Sequence, residues 1–360
     1  MGYARVLEAE SVEVVPVEGK IRTRMGDGAL VEMTTAEIRA DLEEGTQAGA
    51  KRSKNPELSQ DELDHLFDIF ASNNRVTGVD IGDEAILSYD GCGSQDMGTR
   101  LNDLQVYEQI LCADSLELYN HDYSYKPCKP LVPYEQAIMR QCQLLLTAPC
   151  GYGAMSDLGR YTVPDGPVTN WSQLLPLGKI DEAREAQEEA VELASEDMVF
   201  VADGMVEAGI DHIDFDTAGA AGDADFLATL KAIEKIRARH PDLGIQIGMA
   251  GEFVLGMHGE LEYDGVRLAG MWPLQQMQAA VKAGVTIFGP AVNVNTGKST
   301  AWNTARVITI CKPCCEQSTV PVHLNAGMGV GAVPMHILPP GDATTRASRA
   351  AVELMRLDGL

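Results

Sequence analysis

The 360-residue chain is long enough for one large domain or two ordinary ones, and 45% hydrophobic against 22% charged side chains is the balance of a soluble globular protein. Twenty-eight basic and 53 acidic side chains give a formal net charge of −25, a field that argues against nucleic acid and anionic membrane as partners. No apolar run approaches the roughly 20 residues that span a bilayer, and the acidic start, Met1 to Glu10, lacks a signal-peptide core, so a cytoplasmic location is expected.

Residues 1–100 read as an N-terminal extension. A hairpin is expected from Ile21 to Met33, turning at Gly26-Asp27-Gly28, then a helix from Thr35 to Glu44. After a loop rich in Lys, Asn and Pro, a second helix is expected from Gln60 to Ala71, with Leu63, Leu66, Phe67 and Phe70 on one face. Asp90 to Ser94 reads as a flexible link. Residues 101–360 then alternate strand, polar loop and helix. Strand-like runs begin near Ser115, Leu144, Gly209, Gly244, Gly284 and Val320, the last four about one βα unit apart. One long helix carries Ala183, Ala186, Ala190, Ala194, Met198, Val201 and Met205 on a single face, and another carries Phe226, Leu230, Ile233 and Ile236. Asp342 is expected to cap a last helix with Ala343, Ala347, Ala350 and Leu354 along one side. The pattern predicts an α/β fold of the (β/α)₈ barrel type, incomplete at the C-terminus, with about six strands present. Leu360 stands where a seventh would begin. A doubly wound sheet is the alternative.

In such a fold the chemistry belongs to the C-terminal ends of the strands. Those positions are polar and glycine-rich: Asp214 to Asp223 after the third strand, Gly248 to Glu252 and Met257-His258-Gly259 after the fourth, Gly289 to Thr296 after the fifth, and His323 to Gly331 after the sixth. The first strand leads into His121-Asp122-Tyr123. Any one of these has a structural reading, and Asp223 reads first as a helix cap. Several carboxylates and amides converging on one rim read as a pocket with chemistry.

Two nucleotide-binding patterns fail on spacing. Thr296-Gly297-Lys298-Ser299 lacks the first glycine of a phosphate loop, since Val292 stands there. Gly327-Met328-Gly329-Val330-Gly331 lacks the dinucleotide fingerprint, and its glycines suit close backbone approach to a large ligand. Eight scattered cysteines form no disulfide framework, and Cys311, Cys314 and Cys315 read as ordinary thiols. No metal-ligand pairing stands out, although Glu252 and His258 could converge.

Several stretches resemble one known family almost end to end. They are Arg24 to Gly28, His121 to Pro127, Phe215 to Asp223, Gly248 to Gly259, Leu268 to Pro273, and Gly327 to Gly331. All are similar to the dimethylamine:corrinoid methyltransferases, pyrrolysine-containing enzymes of methylamine-dependent methanogenesis. The resemblance implies a (β/α)₈ barrel and transfer of a methyl group from dimethylamine to the Co(I) corrinoid of a separate, cognate corrinoid protein. No cofactor bound directly by this chain is expected. Pyrrolysine, encoded by an in-frame amber codon, is expected just after Leu360, and the 360-residue form would then be inactive. A homo-oligomer is also expected. Asn325 departs from the acid expected there, and the cysteine cluster is not a family feature.

On this resemblance Glu252 is expected as proton donor, with Asp214 and Asp216 stabilising an ammonium. Asn293, His323, Asn325 and Tyr123 would orient the substrate, and Gly327, Gly329 and Gly331 would admit the corrinoid. The alternatives are a pyrrolysine-free corrinoid methyltransferase or other barrel enzyme, or a truncated, non-catalytic product.

Overall fold

A computed structural model describes residues 20–72, 150–152, 158–256, 260–324 and 341–359. The expected hairpin forms from β1 (Lys20–Arg24) and β2 (Leu30–Thr34), paired antiparallel with Lys20 opposite Thr34 and Arg24 opposite Leu30. Gly28 closes the turn in the left-handed region (φ 84°), which a residue with a Cβ rarely adopts. Helix α1 follows at once (Thr35–Ser53), and α2 (Gln60–Ala71) has the predicted limits. Both start with a reciprocal capping box. Ser59 Oγ accepts from the Glu62 N–H, and the Glu62 carboxylate accepts from the Ser59 N–H at 2.8 Å. Helix α1 runs nine residues beyond the expected end at Glu44. Gly45 does not stop it, because Gly45 and Gly49 lie on the side that meets another helix closely.

The chain continues with β3 (Cys150–Tyr152), a short α3 (Trp171–Leu174), α4 (Ile180–Glu207), β4 (His212–Ala218), α5 (Asp223–Arg239) and β5 (Gly244–Met249). A small ribbon, β6 (Glu262–Tyr263) and β7 (Val266–Arg267), comes next, then α6 (Pro273–Ala283), β8 (Ile287–Gly289), α7 (Thr300–Gln317) and α8 (Gly341–Ala350). A π-helical turn, Ala351–Met355, extends α8. Helix α8 begins at Gly341, so Asp342 is its second residue and not its cap. Likewise Gly222 takes the capping position of α5, and Asp223 is the first helical residue.

Strands β3, β4, β5 and β8 form a parallel sheet in chain order. Two single-residue bridges extend it in the same sense, Phe288 to Val322 and His323 to Gly359. The run near Val320 therefore pairs as the sixth strand, though over fewer residues than expected. Asp358 and Gly359 lie parallel beside it: the Asp358 N–H donates to Val322 O, and the Asp358 carboxylate accepts from the Val322 N–H at 2.9 Å. The strand expected near Ser115 and most of that near Leu144 fall outside the described residues, as do the link at 90–94 and His121 to Pro127. The structure thus shows an α/β fold with a parallel sheet. Among the described residues that sheet is open.

Alternation along the sheet separates two faces. Ile213, Phe215, Ile245, Ile247, Phe288 and Val322 are buried together beneath α4, α5 and α6. A second core joins Ile21, Ile38, Leu42, Leu66 and Phe70 of the N-terminal segment to Ala301, Ala305 and Ile308 of α7 and to Ala350, Ala351 and Met355. Segment 20–72, expected as an extension, therefore shares its core with α7. That helix contains Pro313, which has no N–H for the Thr309 carbonyl. Asn55 supplies the missing donor, its Nδ2 reaching Thr309 O at 3.2 Å and Ile310 O at 3.0 Å.

Candidate active site

The face of the sheet opposite the helices is polar. Register sets Tyr152, Asp214, Gln246 and Ile287 in one row across β3, β4, β5 and β8. Asp214 is buried there. The next row towards the C-terminal ends pairs Gly248 with Gly289 and, one strand on, His323 with Gly359. A buried imidazole therefore stands in a row of glycines, where backbones pack so closely that a Cβ on Gly289 would lie 3.1 Å from Ile247 O. Strand β4 carries a β-bulge between Phe215 and Ala218, at the positions of Asp216 and Thr217. Such bulges re-aim a strand where it ends at a site.

The loops that leave β5 and β8 are locked to each other. Glu252 and Arg306 form an ion pair at 2.6 Å, with side chains only 5% and 8% exposed. The second Glu252 oxygen accepts from the Asn293 N–H at 3.1 Å, and Arg306 Nη1 donates to Asn293 O at 3.0 Å. Three residues from three elements thus close a ring of contacts, and both oxygens of Glu252 are engaged within it. Asn303 holds the next stretch, accepting from the Asn295 N–H at 2.8 Å and donating to Asn295 O at 3.0 Å. The hairpin turn presses on the same loop: the Gly26 N–H donates to Lys298 O, and a Cβ on Gly26 would sit 2.3 Å from Asn295 O.

Of the residues expected to carry chemistry, Asp214 and His323 stand on the polar face, while Glu252 and Asn293 meet in the ring. Asp216 is placed by its backbone alone. Tyr123, Asn325, Gly327, Gly329, Gly331 and His258 lie outside the described residues. Arg306 was missed by sequence reasoning, although a signal existed. Thr300 to Cys311 is buried on every side, so its one charged residue requires a buried partner. The thiols of Cys311, Cys314 and Cys315 are all pushed up by burial, Cys315 to about 12, so they are protonated and unreactive at neutral pH. Among the described residues no group of three metal-ligating side chains occurs, and no helix is long and apolar enough to cross a membrane.

Carboxylate, imidazole and bare backbone gathered at the C-terminal ends of a parallel sheet are the layout of an α/β enzyme acting on a small molecule. The model of the family Dimethylamine methyltransferase (Dimeth_PyL) matches residues 19–360. The chain belongs to the dimethylamine methyltransferase family. No solved structure matches it.

Proposed function

We propose that this protein moves a methyl group from dimethylamine to the Co(I) corrinoid of a separate corrinoid protein, on the polar face of a (β/α)₈ barrel. The observation that carries the reading is the family match over 19–360, whose span includes every polar position at the strand ends. The sequential order of parallel strands, with one apolar and one polar face, supports the barrel: closure would bury the first under helices and make the second the lumen.

In the transfer, the cobalt electron pair attacks the methyl carbon, the C–N bond breaks, and nitrogen keeps its pair. Nitrogen must carry positive charge to leave, so the pocket has to stabilise an ammonium. Asp214, buried on the polar face, suits that task, and Asp216 is assigned with it. Glu252, expected as proton donor, has both oxygens engaged by Arg306 and Asn293, an arrangement that suits a fixed charge at the mouth. We assign the proton exchange to His323, whose imidazole offers one donor and one acceptor nitrogen. Asn293, Asn325 and Tyr123 are assigned to orienting the amine, and Gly327, Gly329 and Gly331 to admitting the corrinoid.

The pyrrolysine that the resemblance implies just after Leu360 would supply an electrophilic C=N carbon to hold the amine. The pairing of Gly359 with His323 supports a fit, because alternate positions in that register share the polar face. The test is amine-dependent methylation of a Co(I) corrinoid protein by the natively expressed enzyme, followed by the corrinoid spectrum. Dimethylamine should support turnover, and Glu252→Gln and Asp214→Asn should each cut it severely. Turnover with methanol or thiols but not with methylated amines would refute the assignment.

A further inference from the structure

We infer that Arg306 is a positioning residue of the reaction site, tying the loop after β5 to the loop after β8. The inference rests on the proposal that the reaction occurs at this end of the sheet. Arg306 belongs to neither loop. It projects from the second turn of α7, buried, and makes two divergent hydrogen bonds, one to Glu252 Oε1 and one to Asn293 O. A planar guanidinium can hold two acceptors at a fixed angle, whereas an ammonium is a point donor and serves the pair poorly.

What makes the clamp rigid is its backing. Helix α1 approaches α7 so closely that a Cβ on Gly49 would lie 3.0 Å from the Arg306 carbonyl oxygen. The far end of the β8 loop is fixed separately, by the Gly26 turn and by Asn303. With 295–299 pinned, the freedom left to Asn293 is set by Arg306 and Glu252. Burying an ion pair is costly, and a well-packed apolar pair would often be as stable or more so. Stability alone therefore does not explain the pair. Fixing two rim loops at a set separation does, because positional errors near 1 Å at a reacting centre cost about 100-fold in rate.

The test uses natively expressed enzyme with its corrinoid partner and the variants Arg306→Lys, Arg306→Met, Glu252→Gln and the double Arg306→Met/Glu252→Gln. Turnover is measured beside amide hydrogen exchange in the same folded preparations. Arg306→Met should lower turnover about 100-fold and speed exchange of the Asn293 amide at least about 10-fold. The double variant should be no slower than Arg306→Met, because both residues act through one ring. Arg306→Lys should fall between wild type and Arg306→Met, and it decides the matter if Arg306→Met does not fold. Turnover lost only in proportion to the folded fraction, with loop exchange unchanged, would overturn the inference, as would additive losses in the double variant. Failure of the site assignment looks different: Asp214→Asn and His323→Ala, on the sheet itself, would both turn over normally. The exchange measurement would still decide for or against the clamp.

Discussion

Replacing a helical glycine by alanine should have opposite effects at two positions in this protein. Inside a helix the exchange ordinarily stabilises by roughly 0.5–1 kcal/mol, because alanine loses less backbone freedom on folding. Gly204 in α4 meets nothing within 4 Å of an added Cβ, so Gly204→Ala should realise that gain. Gly45 in α1 is different. An added Cβ there would sit 2.3 Å from the Trp302 carbonyl oxygen and 3.1 Å from the Ala305 Cβ, both on α7. Backbone cannot swing aside as a side chain can, so α1 must retreat by roughly 1 Å, a gap that forfeits a quarter to a half of the contact attraction along the seam. Overpacking of this kind costs about 1–3 kcal/mol, which outweighs the propensity gain. From the middle of these ranges we expect Gly45→Ala to lose about 1 kcal/mol net and the two variants to differ by about 2 kcal/mol. Urea unfolding monitored by circular dichroism measures both. A Gly45→Ala protein as stable as wild type would refute the packing argument.

Three further outcomes follow from the contacts described. Asn55→Ala should cost about 1–2 kcal/mol by leaving the Thr309 carbonyl, which has no helical donor, unpaired. In Pro313→Ala the restored N–H should shrink that cost, which a double-mutant cycle in urea would detect; an unchanged cost would deny Asn55 its compensating role. The ion pair of Glu62 with Lys312 ties α2 to α7, and its pH dependence has two limbs. Burial opposes ionisation of Glu62, but the hydrogen bond from Lys312 and those at Ser59 outweigh it and hold its pKa below the ordinary 4.5. Its contribution is therefore present above pH 4.5 and lost as pH falls through the depressed value. The Lys312 pKa is raised above 10.5, first by its hydrogen bond to Glu62, so that contribution is present below pH 10.5 and lost as pH rises further. Glu62→Gln should flatten the acid limb of a melting-temperature profile; an unaltered acid limb would argue against the pair. Gly26→Ala should displace the 295–299 loop and lower turnover more than it lowers stability, read by steady-state rates beside thermal melts.

How much of this was legible depended on whether the signal was local. Ser59 and Glu62 announce the start of α2 within four residues, and its end was equally plain. The apolar runs at Ile213, Ile245 and Phe288 marked three strands because their alternation is a property of the strand itself. Helix α1 was read too short, since Gly45 looks like a stop unless the partner helix, more than 250 residues downstream, is in view. The acid, imidazole and glycines at the strand ends were visible as a set, and so was their placement after strands. The engagement of Glu252 was not, because its partner is a lone arginine inside an apolar helix. Pro313 likewise reads as a helix breaker until Asn55 is seen to repair the gap.

The seam between α1 and α7 also constrains how the protein is made. Thr46 and Thr309 share a hydrogen bond across 263 residues of chain. At about 5–20 residues per second on the ribosome, α1 emerges roughly 10–50 s before the helix that covers it exists. For that interval the glycine-lined side of α1, Gly45 and Gly49, has no native surface to rest against, although Ile38 and Leu42 can already pack on Leu66 and Phe70 of α2. The glycine-lined side of this early helix is thus among the last surfaces to be buried, and it is where a chaperone would find the newborn chain.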